Sequence, residues 1–212
     1  ETDKHHDNIT AALQAGFHVV TDKPLTVTLD EALAVWEAAK ATGRKVLTTF
    51  NHNTYAAVIH AQTLMSGGSI GIPHTARCQF LQSWGMKAVE KQGVKQAWRF
   101  RGERCCGPDI ASHEERLIAF WLEPLGFRLQ SVQASCRTIM PGRVGDDMVA
   151  ATLIYRNDAG NAVSAYLLAG EMCAGHEDDL AGEVFCSAGS LAWSHLRPYE
   201  LKAFVDGKEL RL

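Results

Sequence analysis

Two places in this sequence hold side chains that could move a proton. Lys23 stands between Asp22 and Pro24 at the end of an apolar run, and Asp109 precedes His113 by four positions. In a helix, that spacing puts the carboxylate and the imidazole on one face. Histidine titrates near neutral pH and can take a hydroxyl proton, and a nearby carboxylate orients it or holds it cationic. The pair therefore indicates acid–base chemistry, with an N-cap aspartate beside a surface histidine as the alternative.

Lys23 is a suitable partner for such a base. Pro24 biases the residue before it toward extended backbone, so the direction of the lysine side chain is defined. An ammonium held there could hydrogen-bond a substrate hydroxyl and favour its ionised form. Taken alone, Lys23 would be a surface lysine before a turn, and only the surrounding motifs favour the functional interpretation.

A third cluster combines cations with an aromatic ring. Trp98 and Arg99 follow a predicted loop that contains Lys95, and such a pair stacks on a sugar, contacts a phosphate or closes a hydrophobic edge. The adjacent Cys105 and Cys106 are interpreted as structural, because nothing nearby clearly lowers a thiol pKa. We expect no bound metal, since no further ligand has a fitting spacing.

The composition limits the range of partners. Among 212 residues, 21 are basic and 24 acidic, a formal net charge of −3 with no long run of either sign. Because phosphate binding usually shows as a basic patch, we expect a neutral or modestly anionic small molecule and no nucleic acid. No apolar run reaches the ~18–20 residues of a membrane span, so no membrane is expected. The six scattered cysteines indicate reduced thiols in the cytoplasm.

The first 50 residues alternate between predicted helices and strands. A helix over 5–15 precedes a short buried strand at 17–21, and a capping box at 28–31 opens a second helix before a strand at 45–50. Short connections between such elements are typical of a parallel sheet covered by helices, and two strands alone indicate the end of a larger α/β domain. The buried stripe of the second helix is predicted at Leu29, Ala32, Leu33, Trp36 and Ala39.

After residue 51 the pattern changes to longer, alternating segments. Such segments, separated by turns and combined with one helix, are typical of an antiparallel sheet with a helix on one face. The fold class is therefore α/β followed by α+β, with domains 1–52 and 53–212 that meet near 50–54. The second face of the sheet is expected to be exposed and to mediate self-association. The predicted strands are 75–83, 129–139, 148–156, 161–169, 182–187 and 200–205, and the predicted helices are 55–65 and about 111–124.

Together, these motifs resemble the Gfo/Idh/MocA family of NAD(P)-dependent sugar and cyclitol dehydrogenases. That family joins a Rossmann domain, which ends in a helix, a strand and a Glu-Lys-Pro or Asp-Lys-Pro turn, to an open-sheet domain that carries Asp-x-Gly-x-His. The order and spacing of the matching motifs are specific, and they cover nearly all of the chain. They are Asp22-Lys23-Pro24-Leu25, Gln82-Ser83-Trp84, Gln96-Ala97-Trp98-Arg99, Asp109-Ile110-Ala111-Ser112-His113, Pro141-Gly142-Arg143 with Asp146-Asp147, and Ala188-Gly189-Ser190-Leu191-Ala192-Trp193.

The resemblance implies a reaction and a set of site residues. A hydride would pass between a hydroxyl carbon of a sugar or cyclitol and NAD or NADP, in a homo-oligomer that is a dimer or a tetramer. Lys23, Asp109 and His113 would be catalytic and would converge on one cleft between the domains. The expected cofactor contacts are Lys23, Pro24, Trp98 and Arg99, and the expected substrate contacts are Gln82, Trp84, Lys95 and Arg99.

The chain departs from the family pattern in ways that affect the expected activity. The Gly-x-Gly-x-x-Gly turn and the ribose-binding acid would lie before Glu1, so the chain is expected to be an inactive fragment, truncated at its amino terminus and also at its carboxyl terminus. Ala111 stands where the motif has glycine. Glu114 and Glu115 follow His113 where small or apolar residues are usual, which changes the charge around the imidazole.

Two other functions agree with the same motifs. The fold could serve as a non-catalytic module for ligand binding or dimerisation, or a tightly held NAD could support non-redox glycoside cleavage. The sequence before Glu1 separates the first alternative from a dehydrogenase, and product analysis would reveal the second.

Overall fold

A computed structural model describes residues 1–87, 99 and 105–212 of the chain. Two compact units form, residues 1–50 and residues 51–212. The predicted Lys95 and Trp98 lie outside the described residues. In the part of the chain that the structure describes, no helix combines the length and the apolar character needed to cross a bilayer.

The first unit consists of two helices and a two-stranded parallel sheet. Its elements are α1 (His5–Gln14), β1 (Val19–Thr21), α2 (Leu29–Thr42) and β2 (Val46–Thr48), and Val19 pairs with Val46 in the sheet. The capping box is formed, since Thr28 Oγ1 accepts from the Glu31 N–H at 3.2 Å and the Glu31 carboxylate accepts from the Thr28 N–H. Helix α2 ends where Gly43 adopts a left-handed conformation, with φ at 65°, which glycine tolerates without strain.

The predicted burial of this unit is correct only in part, since Ala39 of the α2 stripe packs against the core but the larger residues of the stripe do not. Leu29, Leu33 and Trp36 of α2 are 50 to 73% exposed, and Val35 of the neighbouring face is buried instead. The strands are also not buried, because Val20 and Leu47 at their centres are 70% and 61% exposed. Val35 packs with Ile9 and Leu13 of α1, against partly buried Val19, Leu25, Ala38, Ala39 and Val46.

The second unit is built on one eight-stranded sheet with two helices packed against it. In space the strands follow the order β10-β9-β8-β7-β3-β6-β5-β4. All neighbours are antiparallel except β3 and β6, which are parallel. The mostly antiparallel open sheet is therefore confirmed. Its elements are α3 (Ala56–Ser66), β3 (Pro73–Leu81), α4 (Ser112–Leu122), β4 (Arg128–Arg137), β5 (Met148–Arg156), β6 (Ala162–Gly170), β7 (Asp179–Cys186), β8 (Gly189–Ser194), β9 (Leu201–Val205) and β10 (Lys208–Arg211).

Strands β8 and β10 were not predicted from the sequence. Strand β3 begins at Pro73 rather than at 75, and β7 begins at Asp179 rather than at 182. Residues 187–188 form the tight turn between β7 and β8, so the two strands are a hairpin with almost no loop to mark it. The short polar strand β10 lacks the alternating apolar pattern that identifies a half-buried strand.

Helix α4 lies on the core face of the sheet, and its packing fixes where the candidate site sits. Trp121 is completely buried and donates its indole N–H to the Val58 carbonyl of α3 at 3.1 Å. On the sheet below, a Cβ at Gly182 would lie 3.0 Å from the side chains of Trp121 and Leu117. The small residue in β7 therefore lets the helix approach the sheet closely, and with it the residues at the amino end of α4.

Candidate active site

The Asp109–His113 motif spans the junction between a single π-helical turn and α4. The turn runs from Gly107 to Ala111, and α4 begins at Ser112. Asp146 holds the start of this segment, because its two carboxylate oxygens accept from the N–H groups of Cys105 and Gly107, each at 2.8 Å. Asp109 and His113 are both buried, at 8% and 5% exposure. A π turn is rare and often lies at a functional site.

Asp109 is connected to three of the other predicted site residues. Its Oδ2 accepts from Arg99 Nε at 2.8 Å, and the Arg99 guanidinium lies over the Trp84 ring, 5.9 Å from the ring centroid. Trp84 in turn donates its indole N–H to Gln82 Oε1 at 2.6 Å. Four side chains that the sequence assigned to substrate, cofactor and catalysis thus form one continuous series of contacts within the second unit. Their roles in binding and catalysis stay predictions.

His113 contacts a residue that the sequence analysis did not select. His113 Nδ1 lies 3.2 Å from Nδ1 of His52, which belongs to the short turn Asn51–Thr54 after β2. The ring of Phe80 meets His113 edge to face, with centroids 5.3 Å apart. The only sequence signal for His52 is a histidine placed directly after a strand. Because 61 positions separate the two histidines, no local pattern could have paired them.

A buried acid lies behind Asp109. Glu171 has no exposed surface, and both of its carboxylate oxygens lie within 3.8 Å of Cys105 Sγ. Burial, followed by the negative charge of Asp109, raises the pKa of Glu171 to about 8. Burial and then Glu171 raise the pKa values of the Cys105 and Cys106 thiols far above the ordinary range. Such thiols stay protonated at neutral pH, which agrees with their interpretation as structural.

The two glutamates after His113 accept hydrogen bonds from groups other than the imidazole. Glu114 is fully buried, and its Oε1 accepts from the Leu168 N–H at 3.0 Å. Burial raises the pKa of Glu114 well above its ordinary value. Burial also raises the pKa of Glu115, which accepts a hydrogen bond from the Tyr155 hydroxyl.

The Arg143 and Asp147 motif residues support the loop that carries Trp84. Their ion pair, at 3.2 Å, has no exposed surface, and Arg143 also donates to the Gly85 carbonyl at 2.9 Å. A Cβ at Gly85 would lie 2.7 Å from the backbone oxygen of Glu171, so only glycine fits there. These contacts hold the turn at Trp84 beside the buried acids.

In the first unit, Lys23 and Pro24 follow the carboxyl end of β1. The Lys23 N–H donates to Asp22 Oδ1 at 2.8 Å, and the Lys23–Pro24 peptide bond is cis. His5 Nδ1 lies 2.8 Å from the Pro24 carbonyl, which ties the turn to the start of α1. Ligands of open parallel sheets collect at the carboxyl ends of strands, so the local setting of Lys23 fits a catalytic or cofactor-binding lysine. Its convergence with Asp109 and His113 stays a prediction.

A cavity of the second unit lies away from these residues. It has a volume of about 790 Å³ and lies on the face of the sheet opposite α4, where Arg77, Tyr166 and Glu183 are among its lining residues. Among residues 1–87, 99 and 105–212, none of the predicted site residues lines it. Arg77 and Glu183 form an ion pair across neighbouring strands there, at 2.6 Å.

Comparison with known protein families identifies the class. Residues 1–50 match the model described as "Oxidoreductase family, NAD-binding Rossmann fold", and residues 58–192 match the "GFO/IDH/MocA C-terminal domain". The second match alone covers more than half of the chain. The chain therefore belongs to the Gfo/Idh/MocA family of oxidoreductases, which confirms the resemblance, the Rossmann and open-sheet fold class and the nicotinamide dinucleotide as the family cofactor.

Individual relatives agree with this assignment. The levoglucosan dehydrogenase of Pseudarthrobacter phenanthrenivorans is 31% identical over 113 residues, which are 51% of this chain and 28% of the relative. The inositol 2-dehydrogenase of Rhodococcus erythropolis is 24% identical over 166 residues, 76% of this chain and 42% of the relative. An inositol dehydrogenase homolog from Azotobacter vinelandii, crystallised with NAD+, superimposes with a TM-score of 0.90 at 25% identity, over 100% of this chain and 54% of that one. The chain spans about half the length of such relatives or less.

Proposed function

We propose that this chain contributes the substrate domain, and the end of the dinucleotide domain, to an NAD(P)-dependent dehydrogenase that oxidises a hydroxyl carbon of a sugar or cyclitol. The observation that carries the proposal is the buried Asp109 and His113 pair, joined through Arg99 to Trp84 and Gln82. An aromatic face beside amide, guanidinium and carboxylate groups suits a neutral polyol, whose C–H faces are apolar and whose hydroxyls need donors and acceptors. Relatives named for levoglucosan, inositol and 1,5-anhydro-D-fructose support this substrate class.

The chemistry divides between the dinucleotide and this chain. When bound, the nicotinamide accepts the hydride from the hydroxyl carbon, and the protein orients the substrate and handles the proton. His113 takes the hydroxyl proton, and the Lys23 ammonium stabilises the negative charge that develops on the oxygen. Arg99 and Asp109 position the site. The 212 residues contain no Gly-x-Gly-x-x-Gly sequence, so we expect dinucleotide binding and turnover only when a complete dinucleotide domain is present.

Site-directed variants of a protein with a complete dinucleotide domain test the function. Sugars and cyclitols are screened with NAD+ and NADP+ by nicotinamide absorbance. His113→Ala and Lys23→Ala should each lower kcat by about 10²–10⁴-fold, and Asp109→Asn by less. Full activity in His113→Ala would show that another residue is the general base, and Lys23 is the first candidate. Sugar binding without turnover would favour a non-catalytic module, and cleavage of a glycosidic bond without net reduction would favour the glycosidase alternative.

The assembly is part of the same proposal. We infer a cytoplasmic homo-oligomer that associates through the face of the sheet opposite α4, where Tyr166 and Leu168 are 52% and 42% exposed beside the 790 Å³ concavity. Exposed aromatic and aliphatic side chains of this kind are typical of subunit contacts. Light scattering measures the mass in solution, and a monomer at high concentration would contradict the inference.

A further inference from the structure

Three histidine rings meet inside the second unit. His52 and His113 are 8% and 5% exposed, and their Nδ1 atoms lie 3.2 Å apart. The ring of His195, just after β8, stands perpendicular to His52 with centroids 4.9 Å apart. Tyr55, Phe80 and Trp193 surround His52 at centroid distances of 5.8 to 6.4 Å. Apolar rings on these sides keep the contact between His52 and His113 largely away from bulk water.

The Nδ1–Nδ1 contact restricts the protons of the two rings. A neutral imidazole carries one N–H, on either Nδ1 or Nε2, and its other nitrogen is an acceptor. A hydrogen bond between two Nδ1 atoms requires a proton on one of them and a lone pair on the other. The two neutral rings therefore hold opposite tautomers. If Nδ1 of His113 carries the proton, Nε2 of His113 is an acceptor, and His52 carries its proton on Nε2.

We propose that His52 is the positioning residue of the base. It accepts a hydrogen bond from the Nδ1–H group of His113, and Nε2 of His113 is then the nitrogen that can take the proton of the substrate hydroxyl. The proposal rests on the proposed function, in which His113 is the base. The sequence pattern gave this orienting role to Asp109, whose Oδ2 accepts from Arg99 Nε at 2.8 Å. In hydrolytic triads a carboxylate has the orienting role, and a wrong tautomer there costs about 10⁴ in kcat.

The histidine pair also gives the abstracted proton a place to go. The hydroxyl proton bonds to Nε2 of His113, and the Nδ1 proton of His113 can pass to Nδ1 of His52 across the 3.2 Å contact. With the hydride transferred to a bound dinucleotide, the alcohol would become a carbonyl and one proton would remain on the histidine pair. In carbonyl reduction the same steps run backward, with Nε2 of His113 as the donor. The positive charge is then shared by the two imidazoles.

Nitrogen NMR of the 212-residue chain tests the tautomers without requiring activity. Two-bond ¹H–¹⁵N spectra of histidine-labelled chain are recorded well above the ordinary imidazole pKa of about 6.5. We expect His113 with its proton on Nδ1 and His52 with its proton on Nε2. A proton on Nε2 of His113 would overturn the proposal, and this measurement on the unmodified chain needs no variant to fold.

Two substitutions of the same residue separate positioning from packing. His52→Asn keeps an acceptor near the position of Nδ1, and His52→Leu removes it. His113 should keep its Nδ1–H tautomer in His52→Asn and lose the preference in His52→Leu. The matched control is His74→Leu at an exposed site on β3, which should leave the His113 signals unchanged. Identical His113 spectra in His52→Leu and the unmodified chain would refute the role of His52.

Kinetics in a protein with a complete dinucleotide domain distinguish this proposal from the proposed function. His52→Leu should lower kcat by roughly 10²-fold with little change in KM, and His52→Asn should recover most of the loss. If the enzyme is active and His52→Leu leaves kcat unchanged, the positioning role of His52 is refuted and the proposed function is unaffected. The expected tautomers in a protein without dehydrogenase activity would instead refute the proposed function and leave the histidine pair as a structural finding.

Discussion

The two units of this chain use similar helices and strands but bury them very differently. In residues 1–50 the fully buried apolar residues are Ile9, Leu13 and Val35, while Val20 and Leu47 at the strand centres are mostly exposed. In residues 51–212 one continuous core runs from α3 and α4 across the sheet. A two-stranded sheet rarely offers enough apolar area for independent stability, whereas an eight-stranded sheet with helices on it does. Sequence patterns that look equally regular can therefore differ widely in stability.

The largest expected effect is on folding of the units in isolation. A peptide of residues 1–50 should show weak helical circular dichroism and narrow amide dispersion, because its core is too small to offset the loss of chain entropy. Residues 51–212 should give dispersed amide signals and a cooperative thermal transition. The whole chain under the same conditions is the reference. Cooperative unfolding of the isolated peptide 1–50 would contradict the expected difference in stability between the two units.

One substitution made in both units should give very different losses of stability. Leu117 of α4 is completely buried, and Leu33 of α2 is 50% exposed. Leu117→Ala should lower the free energy of unfolding by about 2–5 kcal/mol, through lost apolar burial and a residual cavity. Leu33→Ala should change it by roughly 0.5 kcal/mol or less. Urea denaturation of both variants measures the difference, and comparable losses would show that Leu33 is packed in solution.

Buried acids are a third difference, since no acidic side chain among residues 1–50 is buried. The pKa of Glu171 is raised from 4.5 to about 8, so the folded chain holds a proton that the unfolded chain releases. The stability from this group is full below pH 4.5 and is lost as the pH rises through 8. Between pH 5 and 9, the free energy of unfolding from thermal denaturation should fall less in Glu171→Gln than in the unmodified chain. The difference should be on the order of 1.4 kcal/mol per unit of pKa shift.

The control for Glu171→Gln is Glu177→Gln at an exposed position, which should leave the pH profile parallel to that of the unmodified chain. Part of the slope should persist in Glu171→Gln, because burial also raises the pKa of Glu114. Superimposable profiles for Glu171→Gln and the unmodified chain would mean that Glu171 is ionised in the folded state.

The smallest expected effect is at the start of α2. Thr28→Ala removes the side-chain acceptor of the Glu31 N–H and should destabilise the helix by about 1 kcal/mol. Amide hydrogen exchange within α2 should accelerate, because the helix belongs to the weakly packed unit. Thr63→Ala at an exposed position inside α3 is the matched control and should leave the exchange of α3 nearly unchanged. Equal effects in both helices would argue against the capping box as the cause.

Local signals in the sequence predicted element ends better than element faces. The capping box at Thr28 and the glycine at 43 fixed both ends of α2, because caps depend on a few adjacent residues. The buried face was wrong because α2 carries apolar residues on several sides, and only the position of α1 decides that Val35 is inside. Helix propensity does not predict which face of a helix is buried when tertiary packing determines that face.

The sequence predicted the site residues that belong to motifs, but not the contacts that depend on the tertiary structure. Gln82, Trp84, Arg99 and Asp109 were selected from the sequence and lie in one series of contacts. The π turn that holds Asp109 and the partner of His113 were not selected. The turn depends on Asp146, and His52 comes from a different turn of the second unit, so both depend on contacts between residues distant in the sequence.

The place of β3 in the sheet has a consequence for how the protein folds. Although β3 is the first strand of the second unit in the sequence, its two neighbours in the sheet are β6 and β7. The residues that pair with its backbone groups are synthesised about 90–110 residues later. Such high contact order slows folding. Until β6 emerges, a nascent chain exposes both edges of β3, and one edge stays open until β7 emerges. We expect this stage of synthesis to depend most on chaperone protection.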